Sequence, residues 1–314
     1  MIRYYKKIQN QLAELPEREP LCWINISPPF THEELDLLAQ DLDVPIEFFT
    51  DSLDVNERPR YEIEDDHKLI VLKTAVHSDD EGEHALFVTV PIGIILTPQN
   101  VITITSHESP VIDGFLLDKV KGFQPSDFPR FILQLMDRNA THFLNSLQEL
   151  NAHRLRLERE LYDSMRNEEI KNLLSIEKSL VFFVTSLRSN ELVMLKMERT
   201  NLLGVKGDED LTDVLESALI DTSQALEMAN TYTNILSGTM DAYASIISNN
   251  LNIVIQRLTI ITIMLMVPNL VFSFFGMNLT MGIEQQHGVI WPVLGLSLFA
   301  TLSLLWFFRS RKLF

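Results

Sequence analysis

Residues 253–278 read IVIQRLTIITIMLMVPNLVFSFFGMN. Between Ile253 and Phe275 the only formal charge is Arg257. A helix of this length covers the ~30 Å of hydrocarbon in a bilayer. A second apolar stretch runs from Val289 to Phe308, and a short segment, 279–288, separates the two. A soluble core helix keeps a polar face, and neither stretch has one of the usual width. Two membrane spans are therefore predicted. Arg257 stands near the start of the first, Arg309, Arg311 and Lys312 follow the second, and the segment between them has no Lys or Arg. The positive-inside rule then puts both termini in the cytoplasm and 279–288 outside. Trp291 and Trp306 bracket the second span as interfacial anchors.

The rest of the chain is acidic. Of 26 Lys and Arg, four lie beyond residue 250; of 43 Asp and Glu, only Glu284 does. That leaves 22 against 42, a net −20 on residues 1–250, against −17 for the whole chain. Such a charge argues against nucleic acid as a partner, because phosphate binding needs a basic surface. It favours cations, or simply a solvated acidic surface. Cys22 is the only cysteine, which excludes a disulfide framework or a Cys-based zinc site within one chain. The N-terminus has no apolar signal core, so the first 250 residues are expected in the cytoplasm. No nucleotide-binding loop or enzyme constellation is present, so neither catalysis nor an organic cofactor is expected.

Residues 1–125 read as a mixed α/β domain. Cys22–Ile26, Leu69–Val76, Gly93–Leu96 and Val101–Thr105 are short β-branched runs between turn signals. Thr31-His32-Glu33-Glu34 is a capping box, and Pro45 sits in the first turn of another helix. From 126 to 250 the spacing becomes helical, with helices over about 127–165 and 168–203. Gly204 and Gly207 break the pattern. A third helix from Asp208 to Phe275 would hold about 68 residues and span about 100 Å. An antiparallel three-helix coiled coil would support it. The predicted fold class is an α+β cytoplasmic domain, a long helical stalk (126–250) and a two-span membrane domain (251–314).

Steps of four and three from Asp241 select Ser245, Ser248, Asn252, Ile255, Thr259, Thr262, Met266, Asn269, Ser273 and Gly276. These share one helix face, and nearly all are polar or small. Hydroxyls and amides in hydrocarbon are costly unless they meet protein or water. The second span offers only Ser297, Thr301 and Ser303 as hydroxyl partners. The stripe is expected to face copies of itself around a symmetry axis, the alternative being a small-residue contact between helices. At its outer end Gly276 permits backbone angles that end the helix, and Asn278 offers an amide oxygen. A ring of such carboxamides would hold the water shell of a hydrated cation weakly enough to release it.

Gly276-Met277-Asn278 at the end of the penultimate helix of a two-span chain resembles the signature of the CorA family of divalent-cation channels. Glu57-Arg58-Pro59-Arg60 followed by Leu69-Ile70-Val71-Leu72-Lys73 resembles a segment of that family's cytoplasmic domain. Asp241-Ala242-Tyr243 with Ser248-Asn249-Asn250 resembles its stalk, and Met266-Val267-Pro268 its mid-span region. The resemblance implies a funnel-shaped homopentamer in the cell membrane that carries Mg²⁺ inward. Gly276, Met277 and Asn278 would form the selectivity filter. Asp241, Asn252, Ile255, Leu258, Thr259, Thr262, Met266, Asn269 and Ser273 would line the pore, with Ile255 and Leu258 in its hydrophobic constriction. Leu258 lies one position off the polar stripe.

Where the family's outer loop often reads Met-Pro-Glu-Leu, this chain has Met281-Gly282-Ile283-Glu284; Glu284 still supplies an acid that attracts cations. Asp79, Asp80, Asp213 and Glu216 are the candidates for regulatory Mg²⁺, the alternative being solvated surface acids. His77, Asp79, Asp80, Glu83 and His84 read better as a polar loop than as a metal cluster. Met277 argues against the Zn²⁺-handling subgroup, which carries Ile there. Transport of Co²⁺, Ni²⁺ or Zn²⁺ by the same fold, and a membrane-anchored coiled-coil scaffold, are the rival readings.

Overall fold

The computed structural model describes residues 1–9, 11–78, 85–164, 167–277, 288 and 290–311. It divides into two compact units, Met1–Leu236 and Ser237–Phe314. In the first, β1 (Ile2–Ile8), β2 (Gln11–Leu15), β3 (Trp23–Ile26), β4 (Arg60–Glu64), β5 (His67–His77), β6 (Phe87–Leu96) and β7 (Val101–Thr105) form one sheet. Its order is β2-β1-β3-β7-β6-β5-β4. Only β3 and β7 run parallel; the other neighbours are antiparallel.

Period-two alternation divides the strands between two apolar layers. Ile24, Leu69, Ile95 and Ile104 face a core shared with α1 (His32–Leu42) and α2 (Ile46–Asp51). Trp23, Ile70, Ile94 and Val101 face the opposite core. There they meet α3 (Pro110–Leu116), α4 (Phe128–Ser164), α5 (Asn167–Thr200) and the start of α6 (Glu209–Phe275). Trp23 centres an aromatic cluster with Phe115, Phe123 and Phe131 at ring-centroid distances of 6.4, 5.8 and 5.2 Å. Its indole Nε1 donates to Thr103 Oγ1 at 2.8 Å, and that hydroxyl donates to Asn25 Oδ1 at 2.9 Å, so both of these buried donors are satisfied.

The Thr31 capping box forms as expected, with Glu34 N donating to Thr31 Oγ1 and Thr31 N to Glu34 Oε2. Pro45 is the N-cap of α2, one place before the first turn. Gly204 and Gly207 adopt φ of +69° and +103° between α5 and α6, the left-handed region that a side chain resists. Three strands, β1, β2 and β4, are not among those expected: Arg3, Lys6 and Lys7 interrupt β1, Glu14 interrupts β2, and β4 alternates Arg60, Glu62 and Glu64 with Tyr61 and Ile63.

Strand β6 extends back from the expected Gly93 to Phe87, through Pro91. The register explains the tolerance. A two-residue turn joins Glu64 to His67, so alternate β5 residues turn their N–H and C=O toward β4. Strand β4 ends at Arg60, opposite Val71, leaving Lys73 and Ala75 without a strand neighbour on that side. Pro91, opposite Lys73, therefore needs no N–H toward β5. Helix side chains complete the edge. Lys73 N donates to Asn190 Oδ1 at 2.9 Å, Asn139 and Asn190 both donate to Lys73 O at 2.8 Å, and His142 Nε2 bonds Ala75 O at 2.8 Å. These bonds fix α4 and α5 to the sheet.

The second unit holds the remainder of α6 and α7 (Ile290–Ser310). Both contain windows long and apolar enough to cross a membrane, and almost none of either window is buried within the chain.

Candidate ion pathway

In the second unit, burial is confined to one face of each helix. On α6 the covered residues are Thr239, Met240, Tyr243, Ile246, Asn250, Ile260, Met264, Val267, Pro268 and Val271. On α7 they are Val293, Ser297, Ala300, Thr301, Leu304 and Phe308. Apart from Met240 and Pro268, the α6 set keeps the three-and-four rhythm of a packing seam. Ile260 and Ser297 are the most enclosed spanning residues, each 4% exposed. Pro268 removes one amide from the helix ladder on this covered side.

Every described member of the polar stripe is exposed, from Asp241 through Asn252, Ile255, Thr259, Thr262, Met266, Asn269 and Ser273 to Gly276. Leu258 is exposed too, at 61%. At 100° per residue the stripe and the seam lie on opposite sides of α6, about 160–180° apart. The stripe is therefore not the surface with which this chain packs its own spans. Thr259 Oγ1 donates to Ile255 O and Thr262 Oγ1 to Leu258 O, both at 2.8 Å. Each hydroxyl proton is thus engaged by its own helix, which leaves the oxygen lone pairs facing outward as acceptors.

At its C-terminal end α6 stops at Phe275, and Gly276 N donates to Phe272 O at 2.9 Å. Gly276 is not left-handed, contrary to the expectation that unusual backbone angles end the helix. A Cβ there would lie 3.1 Å from the Phe272 carbonyl oxygen, so close approach rather than φ favours glycine. Met277 is 55% exposed. Asn278, Glu284, Asp79 and Asp80 lie outside the described residues. Asp213 and Glu216 are exposed on one face of the first turns of α6. Among the described residues no group of three His, Cys, Asp or Glu is arranged to hold a metal ion.

Residues 18–311 match the family described as CorA-like Mg²⁺ transporter protein. The chain belongs to that family. The cobalt/magnesium transport protein CorA of Methanocaldococcus jannaschii is 26% identical over 295 residues, 92% of this chain and 90% of the relative. The protein of that name from Thermotoga maritima is 22% identical over 260 residues, 82% of this chain and 72% of the relative. The complete structure of the M. jannaschii CorA magnesium transporter superposes with a TM-score of 0.82 at 23% identity, covering 98% of this chain and 97% of that one. The CorA-like fold is thus present from the sheet to the paired apolar helices.

One charged arrangement in the first unit was not foreseen. The Asp137 carboxyl on α4 is pushed above the usual carboxylate range, first by burial and then by Asp221 on α6. Arg138 and a hydrogen bond from Ser217 act the other way. The two acids are 84 positions apart in sequence, and only the packing of α4 against α6 brings them together.

Proposed function

We propose that this protein is a Mg²⁺ channel of the cell membrane, with its polar stripes gathered around a shared axis in a homopentamer. The observation that carries the reading is the opposition of stripe and seam on α6. With the seam covered, water or identical copies are the partners left for the stripe in a bilayer. The outward threonine oxygens suit a hydrated cation, whose water shell supplies donors and needs acceptors. Asp241, Asn252, Ile255, Leu258, Thr259, Thr262, Met266, Asn269 and Ser273 would line the path, and Gly276-Met277-Asn278 would form its outer filter, with Glu284 drawing cations to the mouth. Both termini would be cytoplasmic, with residues 1–125 and 126–250 forming the sensing domain and stalk below the pore domain 251–314. A divalent ion gains roughly 4.6 kcal/mol per 100 mV of inside-negative potential, enough to drive influx without ATP.

Gating follows from the net −20 of residues 1–250. Like charges on neighbouring cytoplasmic domains repel, and internal Mg²⁺ bridging them would hold the ring closed. Asp79, Asp80, Asp213 and Glu216 are the proposed bridging acids. Equal currents with and without millimolar internal Mg²⁺ would contradict this.

The decisive experiment is rescue of a Mg²⁺-dependent strain. Wild type is expected to restore growth and Asn278→Ala to fail despite normal membrane levels; a scaffold without transport predicts equal rescue by both. The names of the two relatives favour Co²⁺ as a second cargo. Isotope uptake with competing Co²⁺, Ni²⁺ and Zn²⁺ separates these ions from Mg²⁺.

A further inference from the structure

The covered faces of α6 and α7 end in unbalanced positive charge. Continuing the α6 seam inward from Ile260 by three residues reaches Arg257. Continuing the α7 seam from Leu304 through Phe308 reaches Arg311, whose backbone N–H donates to Phe307 O at 3.2 Å. Counted from the outer ends, Arg257 lies about 27 Å below Phe275 and Arg311 about 31 Å below Ile290, a difference of less than one turn. The helix register therefore puts the two arginines at the same end of the two covered faces, at similar depth. Arg257 is about 160° around α6 from both Ile255 and Thr259, so it points away from the proposed pore.

Among the described residues no acidic side chain balances them. From residue 242 to the end, Glu284 is the only Asp or Glu, and it belongs to the outer connection. Arg257 and Arg311 are both exposed, and among the described residues neither has a carboxylate within 4 Å. The Arg311 guanidinium lies 5.9 Å from the Phe307 ring centroid, and Trp306 beside it is 73% exposed. An outward indole and a guanidinium in the last turns of a span suit the headgroup region. Arginine holds a phosphate by paired N–H donors, and basic residues at this level attract anionic lipid.

We infer that Arg257 and Arg311 form a site for the phosphate headgroup of an anionic lipid at the inner end of the α6–α7 seam. This rests on the two-span reading but not on conduction. A bound headgroup would neutralise both guanidiniums and hold the inner ends of the spans together, behind the polar stripe rather than within it.

The test uses full-length protein extracted in detergent, with native mass spectrometry of retained phosphatidylglycerol and phosphatidylcholine. Wild type should prefer phosphatidylglycerol. Arg257→Gln or Arg311→Gln should each reduce that preference about fivefold and the pair about thirtyfold. The double lysine variant should keep most of it, which a purely structural role for the arginine side chains would not predict. Arg309→Gln, off the seam, should have the smallest effect. An unchanged preference in the double glutamine variant, or an equal loss from Arg309→Gln alone, would overturn the site. Full displacement of the lipid by millimolar inorganic phosphate would assign the arginines to a soluble anion and equally overturn it. Mg²⁺ uptake by the same preparation in vesicles is the separate readout. Uptake without lipid preference rejects this inference alone; lipid preference without uptake rejects the channel reading and leaves the site standing.

Discussion

Replacing Asn190 with alanine tests how the helices are held to the sheet. Asn190 is 3% exposed and bonds both backbone groups of Lys73. Its removal leaves the Lys73 N–H buried with no partner, at about 1–3 kcal/mol, and forfeits roughly 1 kcal/mol of net hydrogen bonding. The Lys73 carbonyl keeps its bond from Asn139, so only one group is stranded. The expected cost is about 2–4 kcal/mol. Asn139→Ala should cost roughly 1 kcal/mol, because Asn190 still serves the carbonyl and the Asn139 side-chain oxygen has no partner to lose. Each single variant spares the carbonyl, but the double variant strands it. Its cost should exceed the sum of the singles by about 1–2 kcal/mol. Thermal unfolding of the full-length protein reads the order, at roughly 2–4 °C per kcal/mol for a unit of this size. Strict additivity, or a larger effect from Asn139→Ala, would refute the shared-carbonyl account.

Three further outcomes are expected. Gly238→Ala should stabilise α6 by about 1 kcal/mol, because nothing lies within 4 Å of the added methyl; a lowered unfolding midpoint would contradict this. Burial, with Arg138 and His77 acting in the same direction, holds His142 below the ordinary 6.5, against weaker support from Ala75 O and Glu149. Below pH 6.5 the unfolded chain therefore takes a proton that the folded chain refuses. Stability should fall as pH drops through that range, and the slope should flatten in His142→Gln. Thr259→Val and Thr262→Val keep side-chain shape but remove the outward acceptor, so each should slow Mg²⁺ uptake in vesicles severalfold; unchanged uptake would place those hydroxyls away from water.

The membrane part of this protein was legible because its constraints are local. Apolar length and a three-and-four spacing can be counted along one chain, and the stripe read from sequence is exposed along α6, as is most of that helix beyond residue 250. The sheet was only half legible. Strands β3, β5 and β7 are buried on both faces and read as β-branched runs, whereas Ile2-Arg3-Tyr4-Tyr5-Lys6-Lys7-Ile8 and Arg60-Tyr61-Glu62-Ile63-Glu64 carry the charges of outer strands. The expected strand Gly93–Leu96 stops short of Pro91 because a proline's permission to stay in a strand comes from register, and register depends on where β4 ends. The Asp137–Asp221 pair had no sequence signal at all, since neither acid has an unusual neighbour until α4 meets α6.

The rhythm of α6 explains how one helix can serve two surfaces. Its enclosed positions Leu211, Leu215, Ala218, Thr222, Ala225, Ala229 and Leu236 belong to the first unit, and Tyr243, Ile246, Asn250, Ile260, Met264, Val267 and Val271 to the second. Both sets fall on the same alternation of three and four residues. A stripe on the opposite face with that same alternation keeps its angular distance from the seam however long the helix becomes, because a slow drift around the axis moves both together. A stripe repeating every 3.6 residues would drift about 20° per heptad against the seam and would meet it within the length of α6. Inserting a single residue between Asn252 and Ile260 should therefore do more harm than four conservative replacements within the stripe. It rotates everything beyond it by about 100°, turning the outer threonines off the face they share with Asp241. Uptake should be abolished while the spans still insert, and an insertion variant that conducts normally would show that the stripe's registry has no part in the pathway.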